Sequence, residues 1–304
     1  MPKVSVVIPV YNGSNYLAKA IDSALAQTYE NIEIIVVNDG SKDDGKSERI
    51  ALSYGDKIRY FSKENGGSSS ALNCGIRMME GEYFSWLSHD DLYYPDKIKE
   101  EIAYADENSV VFSGADLIDA NGEIIKKATG LKEARDYIES HSNEHFIAQP
   151  SRYYFSGCTC LIPKKVFEEV GLFNEKLRLV NDYDLWFRIY KNGYRIRFVD
   201  QPLVMSRMHA SQISRNTVFL HNTEEELMFW NETLCYLKEN YPDNKELFEL
   251  FAECAYHQTI DEIGDKAMDY IGKKGSIKSI ALKVKAKVWM LMKKVYLKLW
   301  IDRK

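Results

Sequence analysis

The sequence is poor in the residues that staple or punctuate a chain. Its 304 residues include only five cysteines, Cys74, Cys158, Cys160, Cys235 and Cys254. The number is odd and no C-x-x-C pair occurs, which excludes a disulfide framework and a zinc ribbon. Reduced, partly buried thiols in a cytosolic protein are expected instead. No apolar run reaches the eighteen or so residues of a membrane span. The short run from Val4 to Pro9, after a single lysine, reads as a strand rather than a signal peptide. No G-x-G-x-x-G or Walker glycine pattern occurs, so an NAD enzyme is not indicated. Internal repeats and low-complexity tracts are absent as well. A net charge of −5 argues against a nucleic-acid-binding surface.

What is present suits a soluble globular chain: 45% hydrophobic and 28% charged residues. The length allows one large domain or two small ones. Charge is unevenly spread. Residues 273–304 hold eleven Lys or Arg and one acid, Asp302, so the first 272 residues carry −15.

Apolar and polar segments alternate. Residues 4–10 form a continuous apolar run, as in a strand buried on both faces. Asn12-Gly13-Ser14-Asn15 reads as a turn and cap, followed by Leu17, Ala20, Ile21, Ala24 and Leu25 at helical spacing. Residues 32–37 form a second strand, ending at Asn38-Asp39-Gly40-Ser41. Ser41 with Asp44 resembles a capping box with Asp in place of Glu. Residues 58–61 are a third strand, Gly66-Gly67-Ser68 opens a helix through Met79, and residues 83–87 are a fourth strand. Pro95 fits the first turn of the next helix, and residues 110–113 are a fifth strand. This rhythm predicts a parallel sheet with right-handed crossovers, whose ligand lies beyond the carboxyl ends of the strands. Tyr11-Asn12, Asn38-Asp39-Gly40 and Ser88-His89-Asp90-Asp91 each follow a strand directly, so three polar loops should meet on one edge.

Past residue 115 the pattern loosens. Residues 128–150 are polar and aperiodic, 153–162 a strand region with Cys158 and Cys160 on one face, and 163–170 a helix closed by Gly171. A helix over 182–190 and strands over 194–199 and 204–208 follow. From Thr223 the chain reads as helical, with breaks at 241–243 and 272–276. Its apolar Leu227, Trp230, Leu234 and Leu237 suit core packing or a homodimer face.

Four polar clusters carry chemistry. Asp39 offers an acceptor for the N3–H of uracil or thymine, or forms a turn. Asp90 and Asp91 are costly after an apolar strand unless solvated or bound to a cation. Their hard oxygens suit Mg²⁺ or Mn²⁺, and the alternative is an acidic helix cap. His89 could be a pocket wall. Asp182 and Asp184 begin a helix, where the macrodipole favours acids, and one of them could act as a general base. Asn65-Gly66-Gly67-Ser68 can bring backbone N–H groups close to a ligand.

Taken in order, Val4 to Asn12, Val36-Val37-Asn38-Asp39-Gly40-Ser41, Asn65-Gly66-Gly67, Trp86 to Asp91 and Asn181-Asp182-Tyr183-Asp184-Leu185-Trp186 resemble the family 2 glycosyltransferases over about residues 3–210. The resemblance implies the GT-A fold: an α/β, Rossmann-like mixed sheet flanked by helices, here with a C-terminal helical extension. The catalytic domain would span 1–215 and the helical region 216–304. By the same resemblance, Pro9, Val10, Tyr11 and Asp39 would hold the base and ribose, with Asn65, Gly66, Gly67 and His89 also against the nucleotide sugar. Asp90 would be the main metal ligand, with Asp91 and His209 beside it, for Mn²⁺ or Mg²⁺. Arg207 would lie near the diphosphate and Asp182 would be the catalytic base. Gly157, Cys158, Asn181 and Trp186 would line the acceptor or sugar pocket. Three positions depart from the family pattern: Ser88 replaces the first Asp of D-x-D-D, Asn181 replaces Glu, and Ala71-Leu72-Asn73 lacks a frequent Arg.

The implied reaction is inverting transfer of a sugar from a UDP or dTDP donor to a glycan or lipid-linked acceptor, in bacterial cell-surface polysaccharide synthesis. The alternative is a non-catalytic nucleotide-sugar-binding, membrane-docking subunit. A nucleotidyltransferase would need a basic Gly-rich loop after the first strand. In the tail, Ile277, Ala281, Val284, Val288, Leu291, Val295 and Leu299 recur every three or four residues, with lysines between them and with Trp289, Tyr296 and Trp300. Such a basic amphipathic helix can lie on an anionic membrane surface, placing the protein on the inner face of the plasma membrane, or it can dock on the acidic body.

Overall fold

The computed structural model describes residues 1–150, 155–209 and 224–301, the stretch 293–301 by its helix alone. The expected domain boundary at 215/216, the start of the strand region at 153 and the helix start at Thr223 lie outside the described residues. So do the side chains of Val295, Tyr296, Leu299 and Trp300.

Two compact units emerge, Met1–Asn143 with Phe155–Gln212, and Glu144–Tyr154 with Ile213–Lys304. The first is built on a nine-stranded sheet. In chain order it contains β1 (Val4–Val10), α1 (Leu17–Leu25), β2 (Ile32–Asn38), α2 (Lys46–Leu52), β3 (Arg59–Ser62), α3 (Ser68–Met78), β4 (Tyr83–Trp86), β5 (Leu92–Tyr93), α4 (Lys97–Ile102), β6 (Ser109–Ile118), β7 (Ile124–Lys126) and α5 (Leu131–Ser140). After α6 (Asn143–Ala148), which falls almost entirely in the second unit, come β8 (Cys160–Pro163), α7 (Lys164–Val170), α8 (Asn181–Lys191) and β9 (Arg195–Arg207). The strand order is β3-β2-β1-β4-β8-β6-β9-β5, with β7 on β6.

The apolar runs explain the centre. Val4, Val6, Ile8 and Val10 of β1 share a buried core with Leu17, Ala20, Ile21 and Ala24 of α1. The helix spacing of the latter puts all four on one face. The alternate β1 residue Val7 meets α3, close enough that a Cβ on Gly75 would lie 2.3 Å from it. Burial on both faces is what a continuous apolar strand requires.

The sheet is mixed, as the resemblance implies, where the strand rhythm alone predicts a parallel one. β3, β2, β1 and β4 are parallel. β8 enters from the opposite end, antiparallel to both β4 and β6. The expected strands over 194–199 and 204–208 are a single strand, β9. Its register on β6 slips between Ser113 and Ala115, where Pro202 faces Gly114. Proline cannot donate to a ladder, so the break in the apolar pattern marks a bulge. The expected capping box also differs. Asp44 and Gly45 take positive φ, and Asp43 caps α2 by accepting from Ser47 N at 3.0 Å.

The second unit contains α9 (Glu224–Asn240), α10 (Lys245–His257), α11 (Asp261–Tyr270) and α12 (Ile277–Ile301). Trp230, Leu234 and Leu237 are buried, with Trp230 against Phe251 at 5.2 Å between ring centres. Lysines just before and in the first half of α12 pair with acids of α10 and α11. Lys273 and Lys278 both pair with Glu249, Lys283 with Asp265 at 2.6 Å and Lys285 with Glu253 at 2.6 Å. Ser279 and Ala286 are buried, while Ile277, Ile280, Val284, Val288 and Leu291 are exposed. Among the described residues no helix is long and apolar enough to cross a membrane.

Candidate functional site

The parallel register of β3-β2-β1-β4 delivers four loops to one edge. The first two are tied together: Asn12 N donates to Ser41 Oγ at 2.9 Å, and Lys42 N to Asn12 Oδ1 at 2.6 Å. Pro9 and Val10 end β1, and Tyr11 is exposed just beyond them.

Asp39, buried at 3% exposure, joins the second loop to the third. Its Oδ1 accepts from Lys63 Nζ at 2.7 Å and Gly66 N at 3.0 Å. Its Oδ2 accepts from Gly67 N at 2.8 Å and Asn65 Nδ2 at 3.1 Å. An ionised carboxylate offers about four lone-pair sites, so all of them are taken. The Asn-Gly-Gly turn and Asp39, separate clusters in the sequence, are one assembly.

The fourth loop carries the acidic pair. His89 packs on the first loop so tightly that a Cβ on Gly13 would lie 2.2 Å from His89 Cδ2. This contact, rather than turn geometry, makes glycine necessary there. Burial pushes the His89 imidazole below its ordinary pKa. Asp90 Oδ2 lies 2.9 Å from His209 Nε2. Asp91 Oδ1 accepts from Arg207 N at 2.7 Å. Burial first, then the neighbouring Asp90 charge, push the Asp91 carboxyl up to about 7.

Arg207 is wholly buried beneath this loop. Its Nε donates to the Asp90 carbonyl at 2.7 Å, and Nη1 to the Asp119 and Ala120 carbonyls at 3.0 and 3.1 Å. Its guanidinium lies 4.5 Å from the Tyr16 ring centre, a cation–π contact. Nη2 is buried with no hydrogen-bond partner among the described residues. Tyr16 also lies 5.2 Å from the His209 ring. Tyr16 and Lys63, which no sequence motif singles out, also border these loops.

Cys158, in a 3₁₀ turn over Gly157–Thr159, donates to Ser88 Oγ at 3.2 Å. Burial holds its thiol well above the usual pKa. A Cβ on Gly157 would lie 2.0 Å from the Trp86 ring, so the turn is seated directly on that indole.

α8 begins beside α3. Asn181 Nδ2 donates to Ser69 Oγ at 2.9 Å. Asn73, in the segment that lacks the family arginine, donates to the Phe173 carbonyl and accepts from Phe173 N, at 2.9 and 3.0 Å. Asp182 accepts from Tyr183 N at 2.9 Å. It keeps some solvent exposure, yet desolvation outweighs its backbone hydrogen bonds and pushes its carboxyl up to about 6. Asp184 is occupied elsewhere, by Arg188 at 2.6 Å. Trp186, within α8, is buried, its Nε1 donating to the Phe155 carbonyl at 3.0 Å.

For a divalent cation, Asp90 and His209 supply one carboxylate and one imidazole. Among the described residues no group of three or more His, Cys, Asp or Glu is placed to hold a metal. Two protein ligands suit Mg²⁺ or Mn²⁺ when substrate phosphate oxygens and water complete the shell.

The family model described as glycosyl transferase family 2 matches residues 5–171. An uncharacterised glycosyltransferase of Rickettsia prowazekii is 44% identical over 288 residues, covering 92% of this chain and 83% of its own. One from Rickettsia felis is 44% identical over 285 residues, covering 85% of this chain and 46% of its own. The chain spans less than half the length of that protein and of relatives in Rickettsia conorii and Rickettsia bellii. Among solved structures, S. aureus TarS in complex with UDP-GlcNAc is 16% identical with a TM-score of 0.62, covering 93% of this chain and 89% of its own. The mannosyltransferase PcManGT from Pyrobaculum calidifontis, in complex with GDP-Man and Mn²⁺, is 18% identical with a TM-score of 0.59, covering 95% and 81%. The shared fold is the GT-A arrangement of a mixed sheet flanked by helices, with a helical extension.

Proposed function

The chain belongs to the family 2 glycosyltransferases, and on that footing we propose that it moves a sugar from a nucleoside diphosphate donor to an acceptor hydroxyl, with inversion. The observation that carries this is the linkage of three acidic positions along one sheet edge. Asp39 anchors the turn that leads into α3, and Ser69 of α3 bonds the neighbour of Asp182. His89, the neighbour of Asp90, packs on the loop that is bonded to Ser41. Base and ribose would lie against Pro9, Val10, Tyr11 and Asp39, with the 65–67 turn beside them. The uracil or thymine N3–H suits Asp39, which makes UDP or dTDP the donor nucleotide.

Asp90 and His209 would hold Mn²⁺ or Mg²⁺. The cation, when bound, would neutralise charge developing on the leaving diphosphate. Arg207 fixes the acidic turn through the Asp90 carbonyl and the Asp91 carboxylate. Asp182 accepts the proton of the acceptor hydroxyl as its oxygen bonds to the anomeric carbon and the bond to the diphosphate oxygen breaks. A carboxyl raised to about 6 is ionised at neutral pH and more basic than a solvated one. Gly157, Cys158 and Asn181 border the space for sugar and acceptor.

A glycan or lipid-linked acceptor on an anionic membrane, in bacterial cell-surface polysaccharide synthesis, fits α12. Its outward Ile277, Ile280, Val284, Val288 and Leu291 form the stripe an interfacial helix needs.

A thermal-shift screen of nucleotide sugars with Mn²⁺ tests the donor assignment, because stabilisation grows with ligand concentration over dissociation constant. UDP- or dTDP-sugars should raise Tm most. The absence of stabilisation by every nucleoside diphosphate sugar, with and without Mn²⁺, would overturn the proposal.

A further inference from the structure

Beneath the acidic turn lies a cluster of buried polar groups that the reaction does not use. Lys97 and Glu101 are both 0% exposed and pair at 2.6 Å within α4. Lys97 Nζ also donates to Ser85 Oγ at 3.0 Å and lies 4.4 Å from the Tyr93 ring centre. Ser113 Oγ donates to the other Glu101 oxygen at 2.7 Å. Ser85 Oγ and Tyr93 Oη are 2.8 Å apart, and Tyr93 Oη donates to the Trp86 carbonyl at 2.6 Å.

These contacts have a specific topology. Ser85 and Tyr93 lie at the two ends of the segment that carries His89, Asp90 and Asp91. Their hydroxyls close that segment into a loop, and the Lys97–Glu101 pair grips the closure from below. A buried ion pair adds little net stability, since desolvating two charges offsets most of their attraction. Apolar side chains of similar volume would fill the same space at equal or greater stability. What they would not supply is a directed grip on Ser85.

We propose that Lys97, Glu101 and Tyr93 are positioning residues that clasp the 85–93 loop at its base and thereby fix where Asp90 presents its carboxylate to the donor. The clasp acts through Asp90, so it rests on the reading of Asp90 as a donor-binding group.

The test uses the full chain and, as probe, whichever of UDP, dTDP and GDP it binds with Mn²⁺ by calorimetry. Failure to bind any of the three overturns the donor reading and the clasp together. The double variant Lys97→Met/Glu101→Leu should match or exceed the parent Tm while its dissociation constant for the nucleotide rises about tenfold or more, as displaced site groups do. A merely structural pair would lower Tm and leave the affinity of the folded protein unchanged, and an affinity within about twofold of the parent overturns the clasp. If the double variant does not fold, Tyr93→Phe decides on the same readout, because it removes one hydroxyl and keeps the ring. Asp90→Ala separates the two readings. If it leaves nucleotide affinity in Mn²⁺ intact, the Asp90 assignment is wrong, whatever the clasp variants do.

Discussion

Replacing Asp182 with Asn should slow turnover strongly and, at alkaline pH, make the protein more stable. The carboxyl titrates near 3.8 when solvated and is pushed up to about 6 in the fold, chiefly by desolvation. A group whose folded pKa is raised favours the fold while protonated. That contribution is complete below about 3.8 and is lost as the pH climbs through about 6. The interval corresponds to about 3 kcal/mol, at roughly 1.4 kcal/mol per tenfold change in proton affinity. Asn copies the shape of the protonated acid and can still accept from Tyr183 N through its oxygen. At about pH 4 the two proteins should therefore melt within about a degree of each other. At about pH 8 the variant should gain up to about 3 kcal/mol, several degrees in Tm for a domain of this size. Paired thermal melts at the two pH values, with no ligand, measure this directly. Equal Tm differences at both would show that the Asp182 surroundings do not penalise its charge. Turnover should fall by about 10²- to 10⁴-fold, the usual contribution of a general base, and near-normal turnover would remove Asp182 from that role.

Two further variants probe other parts of the molecule. Gly157→Ala forces a methyl group into the Trp86 indole, 2.0 Å away, and should cost about 1–3 kcal/mol by overpacking; an unchanged denaturation midpoint would mean that the turn moves freely. Val284→Glu with Leu291→Glu places charge on the exposed stripe of α12 and leaves its lysine–acid pairs intact. This variant should keep its Tm and lose flotation with liposomes containing anionic lipid, and flotation equal to the parent protein would refute membrane contact through this face.

The central sheet was readable because its information is local. Runs such as Val4 to Val10 are apolar at every position but Ser5, which only a strand covered on both faces tolerates, and polar residues appear where those strands end. The placement of β8 between β4 and β6 was not readable, because pairing of Cys160–Pro163 with strands far away in the sequence leaves no local periodicity. The α2 cap departs from the spacing-based expectation because Asp44 adopts a positive φ that sequence spacing does not reveal. Lys97 and Glu101, four apart, have the spacing of an ordinary surface pair, and only the packing of α4 shows that both are inaccessible. The acidic positions were visible one by one. Their linkage through hydrogen bonds and packing, and the occupancy of Asp39 by Lys63 and the Asn-Gly-Gly turn, required coordinates.

That occupancy bears on how choosy the protein can be. With four donors already on the Asp39 carboxylate, the proposed pyrimidine donor would gain its bond only by evicting another, most cheaply the partly exposed Lys63 ammonium. Uracil and thymine offer the same N3–H in that exchange, so it leaves no free energy to tell one from the other. Most of the grip on the donor must then come from its phosphates and sugar, and closely related pyrimidine donors should compete on nearly even terms.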